Sequence, residues 1–130
     1  MSERTPLHVL VVDDAALVRL YYRSVLEPAG YAISDALNGL EALELLLISE
    51  IHLLIVDINM PVMDGLTFLR LLRKREEAFA STPVLVTSTE AGPQDRIAAE
   101  VAGANFYTCK PVAPDLLIEV VSLLVGPAHG

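Results

Sequence analysis

A chain of 130 residues with 53% apolar side chains and a mean hydropathy of +0.50 has material for one buried core, which excludes a disordered tract. Its formal net charge is −8, from 17 acidic against 9 basic residues, so its surface repels a phosphate backbone and no nucleic acid partner is expected. No apolar stretch is long enough to span a bilayer and no basic-then-apolar leader opens the chain, so no membrane insertion is expected and the cytoplasm is the expected compartment.

His8–Val12 is a β-branched, apolar run that reads as a strand and ends on the acid pair Asp13-Asp14. Ala15–Leu26 reads as a helix closed by Pro28 and Gly30, and Ala32–Ala36 as a short second strand. Asn38 caps the next helix, with Glu41 in the capping-box position and Leu40, Leu43, Leu46 and Leu47 on its inner face. The dense apolar run Ile51–Val56 ends at Asp57. A loop from Ile58 to Gly65 follows, containing Pro61, and Asp64 caps a helix through Leu72. The basic cluster from Arg70 to Arg75 runs into Glu76 and Glu77 and reads as a solvated helix end.

After a Ser-Thr-Pro break, Pro83–Val86 is a strand that delivers Thr87. Gly92-Pro93 opens a helix that runs to about Ala102 and ends at Gly103. Asn105–Cys109 is the fifth strand, with Lys110 at its end. Cys109 is the only cysteine, which excludes an intrachain disulfide and a cysteine-built metal cluster; inside an apolar run it reads as a packed small hydrophobe. Asp115–Val125 is the last helix, before a tail expected to fray. Five strands alternating with five helices predict one α/β domain over residues 1–130, a mostly parallel sheet covered on both faces.

In such sheets ligands bind at the carboxyl ends of the strands. Asp13, Asp14, Asp57, Thr87 and Lys110 all fall there. Three carboxylates, a hydroxyl and an ammonium make a poor acid–base set, but they suit Mg²⁺ and a phosphoryl group carried on an aspartate. Like charges converging without a cation would force at least one pKa up. A hard divalent ion with oxygen ligands relieves that. The set reads as a phospho-acceptor switch and not as a hydrolase.

The motifs Leu10-Val11-Val12-Asp13-Asp14, Asp57-Ile58-Asn59-Met60-Pro61-Val62-Met63-Asp64-Gly65, Val86-Thr87-Ser88 and Lys110-Pro111 occur in order, at strand ends. On these the chain resembles the response-regulator receiver domains of two-component signalling, of the stand-alone chemotaxis type. The resemblance implies a doubly wound, flavodoxin-like sheet of order 2-1-3-4-5. It implies that Asp57 is phosphorylated and that Mg²⁺ is held by Asp14, Asp57, the Asn59 carbonyl and, through water, Asp13. Lys110 would pair with Asp57 and then with a phosphoryl oxygen, and Thr87 would bond another. Tyr107 matches the aromatic switch whose ring turns inward after the threonine moves. Asn59, Thr89 and Glu90 stand at the rim, where a small Thr89 leaves water a relatively open path and implies a short phosphoryl lifetime.

The implied partners are a sensor histidine kinase or histidine phosphotransfer protein and a downstream protein target. Val112 stands where many relatives have Phe, and Asn105-Phe106 where an acid pair is common. Competing readings are a degenerate receiver that only binds a partner, a phosphohydrolase and a flavin-binding protein. The second lacks the usual acid two residues past the nucleophile, and the third lacks a phosphate loop after strand one.

Two further expectations come from pattern alone. Between Leu116 and Val125 only Glu119 and Ser122 are polar, so some apolar side chains of the last helix must face outward. A partner face of Leu116, Leu117, Val120, Val121 and Leu124 is expected there, for a target protein or a second copy of the chain, with Leu17 and Leu20 as a second apolar contact. Of Tyr21 and Tyr22 at least one belongs to the core, and the three histidines lack metal-ligand spacing.

Overall fold

The computed structural model describes residues 6–60, 63–89 and 92–127. Among these, five strands alternate with five α-helices: β1 (His8–Val12), α1 (Ala16–Leu26), β2 (Ala32–Ala36), α2 (Gly39–Ile48), β3 (Leu53–Asp57), α3 (Gly65–Arg73), β4 (Val84–Ser88), α4 (Pro93–Ala102), β5 (Phe106–Cys109) and α5 (Pro114–Val125). A 3₁₀ turn over Ala78–Ser81, absent from the sequence reading, precedes β4. The strands form one parallel sheet in the order β2-β1-β3-β4-β5. This is the flavodoxin-like order that the resemblance implied.

The strands are apolar on both sides because helices cover both sides. Leu10, Val12, Leu54, Val56, Val84 and Val86 pack with α2, α3 and α4. Their alternates Val9, Val11, Leu53, Ile55 and Leu85 pack with α1 and α5. Period-two alternation thus feeds two cores from the same strands.

Helix starts follow their caps. Asn38 Oδ1 accepts from the Glu41 N–H at 3.0 Å, and Glu41 Oε1 accepts in return from Leu37 N–H at 2.6 Å. Asp64 Oδ1 accepts from Thr67 N–H at 2.9 Å. Among the described residues no helix is long and apolar enough to cross a membrane.

Three expectations need correction. On α2, Leu40 and Leu47 point outward, and Gly39, Ala42 and Leu46 face the sheet. Gly39 sets this phase: a Cβ there would lie 2.9 Å from both Met63 Sδ and Phe68 Cδ1, so only a bare backbone fits under α3.

On α5, Leu117, Val120 and Val121 are buried against the sheet, with Leu117 and Val121 fully so, and Leu124 is partly buried against the same core. Four of the five residues expected to form a partner face therefore serve the fold, because the helix must present an apolar stripe to β1, β3 and β4. Leu116 and Leu123, seven residues apart, are the large α5 side chains left exposed.

Arg73 is no solvated helix end. Its guanidinium donates to the carbonyls of Ala80 (2.8 Å), Thr82 (2.7 Å) and Gly103 (3.0 and 2.8 Å) and to Asn105 Oδ1 (3.0 Å). One side chain ties α3, the 3₁₀ turn and the α4–β5 turn together.

Candidate phospho-acceptor site

The site forms because the sheet register places side chains, not because the chain brings them close in sequence. Val12 pairs with Val56 across β1 and β3, so Asp13 leaves β1 beside Asp57, the last residue of β3. Asp57 and Thr87 are direct partners across β3 and β4. Ser88 pairs with Cys109, and the Lys110 N–H donates to the Ser88 carbonyl at 2.7 Å, which carries Lys110 to the same edge. The Lys110–Pro111 peptide is cis.

Asp13 and Asp57 are only 1% and 4% exposed, whereas Asp14 is exposed. Carboxylate oxygens of the three lie within 4.8 Å of one another. Lys110 Nζ donates to Asp13 Oδ2 at 2.7 Å and stands 3.3 Å from Asp57 Oδ2. The ammonium thus serves both acids, and the nearer is Asp13; the sequence reading paired it with Asp57 alone. Asp13 Oδ1 also accepts from Ala15 N–H at 2.9 Å, and Asp57 Oδ1 from Asn59 N–H at 3.1 Å. Arg19 Nη1 donates to the Asp13 carbonyl at 2.7 Å and holds the β1–α1 turn.

Burial pushes the Asp57 carboxyl above its usual range. The Asn59 N–H and the Lys110 ammonium oppose that rise, and the neighbouring Asp13 charge adds to it. A divalent cation fits this donor set: the ligands are all oxygens, three charges are concentrated, and one lysine does not neutralise them.

Gly65 lets α3 approach this loop. A Cβ there would sit 2.8 Å from Ile58 Cα and closer still to the Asp57 carbonyl, and its N–H donates to the Ile58 carbonyl at 2.9 Å.

Thr87 is 1% exposed, and its Oγ1 donates to the Val56 carbonyl across a long 3.5 Å. Thr89 and Asn59 are exposed at the rim; Glu90, also expected there, lies outside the described residues. Tyr107 is 7% exposed, packed with Val86, Ala99 and Ala102, with the Arg96 guanidinium 5.7 Å from its ring centre. The ring lies inward in this arrangement.

Of the two adjacent tyrosines of α1, Tyr22 is the core residue. The residue is 2% exposed, and burial, with the Asp13 and Asp57 charges adding, pushes its phenol up to about 12. Beside it an apolar groove of about 470 Å³ runs between α1 and the β5–α5 turn, lined by Leu17, Tyr21, Tyr22, Lys110, Pro111 and Pro114 among others.

Comparison with known proteins accords with this geometry. Residues 9–122 match the model of the response regulator receiver domain, and the chain belongs to that family. It is 34% identical over 126 residues to a chemotaxis protein CheY homolog of Campylobacter jejuni, covering 95% of this chain and 96% of that one. Identity to chemotaxis protein CheY1 of Helicobacter pylori is also 34%, over 92% of this chain and 98% of the relative. The crystal structure of Vibrio cholerae chemotaxis protein CheY4 superposes with a TM-score of 0.87 at 31% identity, over 92% and 99% of the two chains. A receiver fold with Asp13, Asp14 and Asp57 clustered at its strand ends is consistent with a phospho-acceptor site.

Proposed function

We propose that the chain is a single-domain response regulator, residues 1–130, that accepts a phosphoryl group on Asp57 and uses it as a reversible signal. The observation that carries this reading is the meeting of three carboxylates within 4.8 Å beside one shared ammonium. The donor is a phosphohistidine on a sensor histidine kinase or a histidine phosphotransfer protein. An Asp57 oxygen attacks phosphorus; a P–O bond forms as the P–N bond breaks, and the electron pair leaves on the imidazole nitrogen.

Asp13, Asp14, Asp57 and the Asn59 carbonyl would hold Mg²⁺. When bound, that ion supplies positive charge to the phosphoryl oxygens in the transition state. Asn59 N–H holds one Asp57 oxygen and so leaves the other as nucleophile. Lys110 moves from the carboxylates to a phosphoryl oxygen. Hydrolysis reverses the charge flow: water attacks phosphorus and Asp57 leaves as carboxylate, with Thr89, Asn59 and Glu90 setting how water enters.

The added group brings negative charge and acceptor oxygens, and Thr87 turns its proton toward them. The population then shifts in α4, β5 and α5 around Tyr107. There Ile97, Val101, Phe106, Leu116 and Leu123 are exposed, and a downstream protein or a second copy docks on them. Leu17 and Leu20, exposed on α1, serve the phosphodonor contact.

The test is incubation with acetyl phosphate, with and without Mg²⁺, followed by intact mass beside Asp57→Asn. One phosphoryl group gained only with Mg²⁺, lost on dilution and absent in the variant is the expected result. No adduct under any condition would instead favour a degenerate receiver that acts by binding alone.

A further inference from the structure

Arg19 brings a second cation toward the site without serving any of its carboxylates. It lies on α1, six residues after Asp13, and its side chain is only 15% exposed. Its Nη1 donates to the main-chain carbonyl of Asp13 at 2.7 Å, and its Nε stands 3.7 Å from Asp35 Oδ2 on β2. Arg23, one turn on, stands 3.6 Å from the same Asp35 oxygen but donates to Glu27 and to the Ile33 carbonyl. The two arginines share an anchor, and Arg19 alone reaches the site.

What that bond fixes follows from the peptide to which the oxygen belongs. A peptide unit is planar, so the Asp13 carbonyl and the Asp14 N–H turn together. The Asp13 N–H is held by the Ala36 carbonyl at 3.1 Å, and its two carboxylate oxygens by the Ala15 N–H and Lys110. Asp14 lacks such ties: it is exposed, and its carboxylate makes no hydrogen bond among the described residues. The direction of that carboxylate starts from the peptide plane before it, and Arg19 is the side chain that holds the plane.

We propose that Arg19 is a positioning residue for the cation site, holding the Asp13–Asp14 peptide so that the Asp14 carboxylate faces the ion. The proposal rests on the reading of Asp13, Asp14 and Asp57 as the carboxylates that hold Mg²⁺. Charge alone makes the opposite forecast. A guanidinium near a divalent cation repels it, so removing that charge without moving Asp14 tightens Mg²⁺ binding. Loss of positioning weakens it, and partners just outside a metal's ligands are worth about ten- to a hundredfold in affinity.

Mg²⁺ affinity is measured by NMR titration for the wild type, Arg19→Met, Arg19→Lys and Arg23→Met, with thermal unfolding of each to establish folding. Arg19→Met keeps the apolar stem and loses every donor. It is expected to bind Mg²⁺ about tenfold more weakly, with the Asp14 amide signal shifted or broadened before any Mg²⁺ is added. Arg19→Lys keeps the charge and a donor, falls between the two, and carries the test where Arg19→Met does not fold. Arg23→Met removes an equal charge from the same helix and is expected to bind Mg²⁺ no more weakly than the wild type. Beryllofluoride, a phosphoryl mimic that binds an aspartate carboxylate, gives a second readout. Its affinity for Arg19→Met is reduced at limiting Mg²⁺ and equals that of the wild type once Mg²⁺ saturates the site. Unchanged or tighter Mg²⁺ binding by the Arg19 variants overturns the proposal. So does an equal loss in Arg23→Met, or a beryllofluoride deficit that persists at saturating Mg²⁺. A wild type that binds no Mg²⁺ removes the reading of the carboxylates as a metal site, and the proposal with it.

Discussion

The two ends of one sheet treat their polar groups in opposite ways. At the amino end, the His8 N–H donates to His52 Nδ1 at 2.9 Å, His8 Nε2 meets Ser34 Oγ at 2.7 Å, and His52 Nε2 meets an exposed Glu50 at 2.9 Å. These groups are neutral or wet, and each has a partner. At the carboxyl end, two buried carboxylates share a single ammonium, and a third, exposed carboxylate stands within 4.8 Å of them. The same parallel strands supply both ends, so the contrast comes from the residues placed there and not from the architecture. Charge held short of balance is what a cation or a phosphoryl group can act on, and satisfied groups offer no such handle.

The sharpest way to break the contrast is to remove the shared cation. Lys110→Met leaves Asp13 and Asp57 buried without a counter-charge, and the expected loss of stability is about 3 kcal/mol, at the lower bound for breaking a buried pair because the lysine is partly exposed. Urea unfolding measures it. Addition of Mg²⁺ should recover part of the loss in Lys110→Met and stabilise the wild type less. A loss below about 1 kcal/mol would mean that the carboxylates do not depend on Lys110 in the resting chain.

Gly65→Ala is next. Its Cβ would press on Asp57 and Ile58 backbone atoms that have no flexible end to yield. A destabilisation of about 2 kcal/mol is expected, together with slower phosphoryl uptake on a displaced Asp57. Normal uptake at full stability would show that α3 can retreat from the loop.

The pH response of Asp57 sharpens the contrast from the other side. Its folded pKa is raised, so the folded chain holds this proton to higher pH than the unfolded chain does. Stability from this group therefore falls as pH rises from the ordinary carboxylate value, about 4, through the raised one. Asp57→Asn removes that slope. Its Tm advantage over the wild type should be absent below pH 4, grow across the window and stay flat at neutral pH.

The sequence made this end of the sheet legible because strand-terminal acids are local features. Asp13, Asp57, Thr87 and Lys110 each follow an apolar run, and the parallel order of the runs does the rest. Helix phase was less legible. On α5 nearly every residue is apolar, so periodicity gave no direction, and the sheet alone selected Leu117, Val120 and Val121. Arg73 was misread for a different reason. A basic residue in a charged run looks solvated until the chain returns, through Thr82 and Gly103, with carbonyls that need donors.

The smallest effect belongs to the amino end, and it has the opposite slope. Burial first, and then the neighbouring His52, lowers the His8 pKa. The unfolded chain therefore takes up this proton near pH 6.5, where the folded chain does not. Stability is full above that value and falls as pH drops through it toward the lowered folded pKa. His8→Gln removes this dependence and exchanges the bond to Ser34 for a weaker one, at a cost of about 0.5 kcal/mol at pH 8. Below pH 6 the variant should draw level with the wild type, while its beryllofluoride affinity is unchanged throughout. A change in that affinity would show that the two ends are coupled through β1, and the contrast between a silent end and a responsive one would then fail.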